Sequence, residues 1–154
     1  MPDDAAPSTS PSAAKVQALY QELILDHYRR PRNRRALPEA TAEWSVRNPL
    51  CGDEITMRVA LDGDVVADAA FAGQGCSITQ AAASMLTEAV RGRTRDDALA
   101  LLRAYSAMLA DRHAPPDDLV SGELRALSGV ARFPARVRCG LLPAEALGRA
   151  LAAE

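Results

Sequence analysis

Cys51 and Asp53 are the first residues of this chain whose types and spacing could do chemistry. Both lie in the stretch Asn-Pro-Leu-Cys-Gly-Asp, residues 48–53, between two predicted strands. The proline and the glycine mark a turn, so the Cys51 thiol does not belong to a regular packed strand. Because Asp53 follows two residues later, a thiolate and a carboxylate can both reach one point.

Two further thiols lie at predicted helix ends. Cys76 follows the Gly-Gln-Gly stretch 73–75 and opens a helix, whose dipole and free N–H groups would stabilise a thiolate. The glycines there let the backbone approach a site closely. Cys139 lies between Arg138 and Gly140, near another helix.

These thiols allow two interpretations. A free cysteine is commonly a small buried apolar residue, so each cysteine taken singly could belong to the core. Three thiols and one carboxylate at loops and helix ends also suit a four-ligand zinc site. Their spacing is less specific than a paired C-x₂-C motif, so the residues alone leave both interpretations open.

Composition limits the class of protein. The chain has 154 residues, 48% of them apolar and 25% charged, with a net charge of −2. This length is enough for one domain with a proper core. The small negative net charge argues against a nucleic-acid binder that works by bulk charge. We see no apolar run that would cross a membrane and no signal-peptide pattern in residues 1–14. We therefore predict a cytoplasmic protein, and an odd count of three cysteines in that reducing compartment makes a disulfide framework unexpected.

A disordered tail at residues 1–13 and a single domain at 14–154 are predicted. Apolar residues at three- and four-residue steps predict a first helix, with Ser12 as N-cap and Pro31 ending it. His27 lies on its apolar face and fits a satisfied core histidine better than a ligand, whereas His113 fits an exposed loop. Arginines cluster over residues 29–35, either as a solvated charge run or as a docking patch.

The rest of the chain predicts an α+β fold. Strands are expected at 43–47, 55–61 and 65–71, with a hairpin turn at 62–64 and a glycine break at 73–75. Helices follow over one face of this small antiparallel sheet of about three strands. The first of them is predicted to start at Ser77, with Gly92 as its cap. A second begins at a Thr94/Asp97 capping box and is closed by Pro115-Pro116. A short helix is predicted at 122–128 and a last helical stretch after Pro134, with Pro143 starting or kinking the terminal helix.

Several motifs in order resemble the IscU/NifU-type family of iron–sulfur cluster assembly proteins, over about residues 16–151. They are Asp-His-Tyr at 26–28, Pro-Arg-Asn at 31–33, Asn-Pro-Leu-Cys-Gly-Asp at 48–53, Gly-Gln-Gly-Cys-Ser-Ile-Thr-Gln-Ala at 73–81, Leu-Ser-Gly-Val at 127–130 and Phe-Pro-Ala-Arg-Val-Arg-Cys at 133–139. Arg138 stands where scaffold members have a histidine, and the segment between Cys76 and Cys139 is long. Both features resemble the SufU branch. Thr79, Ala83 and Gly140 depart from the family pattern, and none is expected to touch a ligand.

The resemblance implies Zn²⁺ held by Cys51, Asp53, Cys76 and Cys139, with Cys51 as sulfur acceptor from a SufS-type cysteine desulfurase. The protein would then be a carrier-type sulfurtransferase that activates the desulfurase, rather than an enzyme acting on a small molecule. The alternative is a scaffold that assembles an iron–sulfur cluster on the same ligands.

Two arginines beside Cys139 are candidates for contacts with a partner. Arg136 and Arg138 are either surface charge or groups that lower the thiolate pKa or guide the persulfide. Downstream Suf scaffold proteins are further candidate partners, and a monomer or weak dimer is expected, with no nucleic acid and no membrane.

Overall fold

The computed structural model describes residues 11–50, 52–111, 117–120 and 122–153. Three strands and four α-helices, with one 3₁₀ helix, follow one another in the predicted α+β order. They are α1 (Pro11–Arg29), β1 (Ala42–Arg47), β2 (Glu54–Asp62), β3 (Val65–Gln74), α2 (Ser77–Val90), α3 (Arg95–Ala110), the 3₁₀ helix (Gly122–Arg132) and α4 (Pro134–Ala152).

The sheet is antiparallel, with the strands in the order β1-β2-β3. Gly63, with φ 62°, lies in the hairpin turn where Asp62 pairs with Val65, as the sequence predicted. Alternation along β2 directs Ile55, Met57 and Val59 into the core, where all three are fully buried. The helices cover this face, which confirms the predicted fold class.

The site depends on how the last helix meets the sheet. Helix α4 packs against β1, β2 and α2, and its residues Leu142, Leu147 and Leu151 are buried in the main apolar cluster. Tyr105 of α3 is fully buried and donates a hydrogen bond to the Gly140 carbonyl at 2.9 Å. These contacts fix the N-terminal half of α4 beside the start of α2.

Some predicted boundaries were wrong. Helix α1 already begins at Pro11, inside the predicted tail, so Ser12 does not cap it; proline is tolerated in a first turn because its missing N–H is not needed there. The predicted disorder of residues 1–10 falls outside the described residues. Strand β3 continues past residue 71 to Gln74, because Gly73 still pairs with Ile55.

The helical segments differ in three details. The short helix predicted at 122–128 is a 3₁₀ helix that continues to Arg132. Pro143 lies inside one continuous α4 and does not start a separate helix. Helix α3 ends at Ala110, so Pro115-Pro116 does not close it; those prolines, like His113, lie outside the described residues.

Two predicted helix signals are confirmed. The Thr94 hydroxyl accepts a hydrogen bond from the Asp97 amide, the N-cap arrangement expected from the sequence. Gly92 adopts φ 84° just after α2 ends.

The arginine run 29–35 ties its own loop to the fold. Arg30 and Arg32 contact Asp26 at 2.7 and 2.6 Å, and Arg35 binds both carboxylate oxygens of Asp68 in β3. Arg34 donates to the Gly73 carbonyl at 3.0 Å. Arg30 is still 83% exposed, as a solvated charge run predicts, and the docking patch stays a prediction. Among the described helices, none is long and apolar enough to cross a membrane.

Candidate metal and sulfur site

Three side chains from distant parts of the chain meet at one point. One ligand atom each from Asp53, Cys76 and Cys139 lies within 4.8 Å of the other two. Asp53 is the residue before β2, Cys76 is the residue before α2, and Cys139 lies in the second turn of α4. Two thiols and a carboxylate at this spacing are a donor set that suits Zn²⁺.

The loop that carries Cys51 is anchored on both sides of it. Cys51 itself lies outside the described residues. Asn48, which is 7% exposed, accepts the Gly52 amide at its carbonyl and the Leu50 amide at its side chain, and it donates its own amide to the Asp53 carbonyl. Gly52 adopts φ 77°, a conformation that favours glycine. The side-chain bond of Asn48 and the positive φ of Gly52 explain why Asn and Gly flank the cysteine in the sequence.

Asp53 is held against the start of α2. Its side chain is buried, and its Oδ2 accepts a 2.8 Å hydrogen bond from the Thr79 hydroxyl and a 3.5 Å one from the Cys76 amide. Gly75 permits this close approach, since a Cβ there would lie 3.0 Å from Cγ of Asp53.

The two described thiols have opposite pKa shifts. Burial raises the pKa of Cys76, but the nearby Thr79 hydroxyl and amide, the Cys139 thiol and the Ile78 amide outweigh it and hold that pKa below its ordinary value. Burial, followed by the neighbouring Cys76 sulfur, raises the pKa of Cys139 to about 12. Cys76 is thus the better thiolate of the pair, as its place at a helix N-terminus predicts.

His27 is a core residue that fastens three elements together. It is 1% exposed, with Nδ1 2.7 Å from Oγ of Ser84 in α2 and Nε2 2.6 Å from Oε1 of Glu123 in the 3₁₀ helix. The interpretation of His27 as a satisfied core histidine is confirmed, and the cluster of Asp53, Cys76 and Cys139 does not include it.

Comparison with known proteins identifies the family. The model of the NifU-like N terminal domain matches residues 19–140. The chain belongs to this family. A member from Bacillus subtilis, named zinc-dependent sulfurtransferase SufU, is 40% identical over 141 residues, which are 92% of this chain and 95% of the relative. An iron–sulfur cluster assembly scaffold protein IscU from Streptococcus pyogenes is 39% identical over 138 residues, covering 90% of this chain and 86% of that protein.

Solved structures of the NifU-like family agree with this fold. A crystal structure from Fervidobacterium islandicum, described as an iron–sulfur cluster assembly scaffold protein for the SUF system, has a TM-score of 0.79 at 31% identity, covering 88% of this chain and 98% of that one. The resemblance drawn from the motifs is therefore confirmed. The relatives carry both zinc-dependent and scaffold names, so they leave Zn²⁺ and an iron–sulfur cluster both open.

Thr79 is the site residue whose importance the sequence did not reveal. We expected it to touch no ligand, yet its hydroxyl contacts both Asp53 and Cys76, the latter at 3.5 Å. Its place three residues after Cys76, in the first turn of a helix, was the available signal, because residues three apart share a helix face.

Proposed function

We propose that this protein accepts persulfide sulfur on Cys51 at a zinc site formed by Cys51, Asp53, Cys76 and Cys139, and that its donor is a SufS-type cysteine desulfurase. Iron–sulfur cluster assembly is named in several relatives, and it is the process this sulfur would serve. The observation that carries the proposal is the meeting of Asp53, Cys76 and Cys139 within 4.8 Å.

The residues fit a bound zinc ion. Covalent geometry keeps the Cα atoms of residues 51 and 53 within about 7 Å of each other, so Cys51 is the natural fourth ligand. When bound, Zn²⁺ would keep these thiols as thiolates at neutral pH. Two thiols and one carboxylate, completed by a third thiol, make a four-coordinate set of the kind that zinc prefers.

Sulfur transfer to Cys51 is a variant of thiol–disulfide exchange. The Cys51 thiolate attacks the terminal sulfur of the donor's persulfide, a new S–S bond forms on Cys51, and the donor cysteine leaves as a thiolate. One S–S bond breaks as the other forms, and the terminal sulfur keeps its proton, so no external oxidant or reductant is required. In this proposal Asp53, Cys76 and Cys139 would hold the metal while the Cys51 thiolate reacts.

The surroundings of the site suit a protein donor. Leu50, the neighbour of Cys51, is 94% exposed, and Phe133, directly before α4, is 61% exposed. Exposed apolar side chains beside a reactive loop are typical of a surface that a partner covers.

Arg136 lies where a positive charge destabilises helix α4. The first turn of α4 has no acidic residue, and Arg136 lies near its positive end, where cations are unfavourable. Within the described residues, neither Arg136 nor Arg138 forms an ion pair. Both therefore have their charge available for an anionic group of the partner.

Arg136 should matter more than Arg138. Arg136 is three residues before Cys139 and shares its helix face, whereas Arg138 is turned about 100° away. We expect Arg136→Ala to slow sulfur acceptance about 10-fold or more, the value of a charged hydrogen bond. Arg138→Ala is the matched control and should change the rate less than threefold. Single-turnover transfer from persulfidated desulfurase measures both, and equal losses would contradict the assignment to Arg136.

Metal content tests the ligand set directly. Protein purified without added metal should contain a single zinc ion per chain by elemental analysis. Asp53→Ala and Cys139→Ser should each lose most of it, while Ser106→Ala, outside the cluster, should retain it. Full zinc occupancy in the Cys139→Ser variant would show that this thiol is not a ligand.

The scaffold alternative rests on the same cysteines and on the names of the IscU relatives. Anaerobic incubation with iron and sulfide, followed by transfer to an apo acceptor, distinguishes the two functions. We expect no stable cluster to form in the presence of zinc. A stable, transferable cluster under those conditions would favour the scaffold.

A further inference from the structure

The Thr79 hydroxyl lies between two of the candidate ligands. Its Oγ1 is 2.8 Å from Oδ2 of Asp53 and 3.5 Å from Sγ of Cys76, and Thr79 is fully buried. A hydroxyl has one proton to donate. The shorter contact and the full charge of a carboxylate place that proton on Asp53.

Packing leaves Thr79 little freedom to point elsewhere. The backbone at Gly75 lies so close that an added Cβ would be 2.9 Å from Cγ2 of Thr79 and 3.0 Å from Cγ of Asp53. The threonine methyl and the carboxylate are thus pressed against the same peptide segment. Packing against the Gly75 backbone therefore orients the Thr79 hydroxyl together with its hydrogen bond to Asp53.

The Cys76 thiolate is stabilised by more than the Thr79 hydroxyl. The amides of Thr79 and Ile78 at the N-terminus of α2 also lower its pKa, although Cys76 makes no side-chain cap hydrogen bond to that helix. The Asp53 carboxylate has a weaker second donor, the Cys76 amide at 3.5 Å. Removal of the hydroxyl would therefore weaken the hold on Asp53 more than the hold on Cys76.

We propose that Thr79 is a positioning residue that fixes Oδ2 of Asp53 and so presents the other carboxylate oxygen to the metal. This inference rests on the proposed zinc site but not on sulfur transfer. Groups that orient a metal ligand commonly contribute 10- to 100-fold to metal affinity. Without the hydroxyl, the carboxylate can turn away from the two thiols, and the site loses its only oxygen ligand.

Three variants of the full chain test this role. Thr79→Val keeps the shape and removes the hydroxyl, and we expect its zinc affinity to fall about 10- to 100-fold in competition with a chromophoric chelator. Thr79→Ser retains a hydroxyl, and its zinc affinity should lie within about threefold of that of the unmodified protein. Thr87→Val is the matched control, since Thr87 is also fully buried in α2 but donates to the Ser84 carbonyl.

Cobalt substitution separates positioning from general destabilisation. We expect Thr79→Val to change the visible d–d bands of the Co²⁺ protein, whereas Thr79→Ser and Thr87→Val should leave them unchanged. Unchanged affinity and spectrum in Thr79→Val would overturn the proposal, and so would an equal loss of affinity in Thr87→Val. If the unmodified protein binds zinc but accepts no sulfur, the proposed function fails while this role of Thr79 stands.

Discussion

Replacement of Cys51 by alanine should abolish sulfur acceptance, with a loss on the order of 10²-fold or more. Alanine has no group that can form the new S–S bond, and none of the other site residues substitutes for it. The described thiols are poorly placed for the task, because Cys139 is only 7% exposed and a donor persulfide would not reach it. Cys76 is half-buried, and its sulfur lies 3.5 Å from the Thr79 hydroxyl in the first turn of α2.

Two measurements check this expectation. Intact-mass analysis after incubation with a cysteine desulfurase and cysteine should show an added sulfur atom on the unmodified protein and none on Cys51→Ala. Desulfurase turnover should rise when the unmodified protein is added and should not rise when Cys51→Ala is added. Cys51→Ser keeps nearly the same volume, so it separates the loss of the thiol from a change of shape. If Cys51→Ala stimulated turnover as well as the unmodified protein, Cys51 would not be the acceptor.

Gly73→Ala should cause the largest loss of stability, about 3 kcal/mol or more. Gly73 has φ 122°, which an L-residue adopts only with strain, and a Cβ there would lie 2.1 Å from the Glu54 carbonyl oxygen. That oxygen belongs to the backbone of β2 and cannot move without opening the β2–β3 pairing. Because Glu54 follows Asp53 and Gly73 lies three residues before Cys76, the same displacement would also separate the ligands.

Gly63→Ala is a matched control in the same hairpin. Gly63 has φ 62°, but nothing lies within 4 Å of an added Cβ, so this variant has only the backbone strain, about 1 kcal/mol. Chemical denaturation with a chelator present compares the two free energies of unfolding without a contribution from bound metal. At this chain length each kcal/mol lowers Tm by about 2–4 °C. Equal losses in the two variants would mean that β2 yields to the added methyl group.

Local patterns in the sequence determined much of the fold. Alternation in β2, the Asp-Gly-Asp turn and the Thr94 cap depend on neighbouring residues alone, and each appears where it was predicted. Boundaries that depend on distant contacts were missed. Strand β3 extends to Gln74 because β2 offers partners that far, and the 3₁₀ helix reaches Arg132 while it packs against α1, α2, α3 and α4.

The candidate site divides in the same way. Residue types, turns and a helix start made the cysteines and Asp53 candidates, because a helix N-terminus and a glycine turn are local features. The family resemblance then implied that all four are ligands. Only the tertiary structure brought Asp53, Cys76 and Cys139 within 4.8 Å, since that distance depends on how α4 packs beside α2. It alone revealed the Thr79 hydroxyl on Asp53, because a hydrogen bond between residues 26 positions apart leaves no periodic trace in the chain.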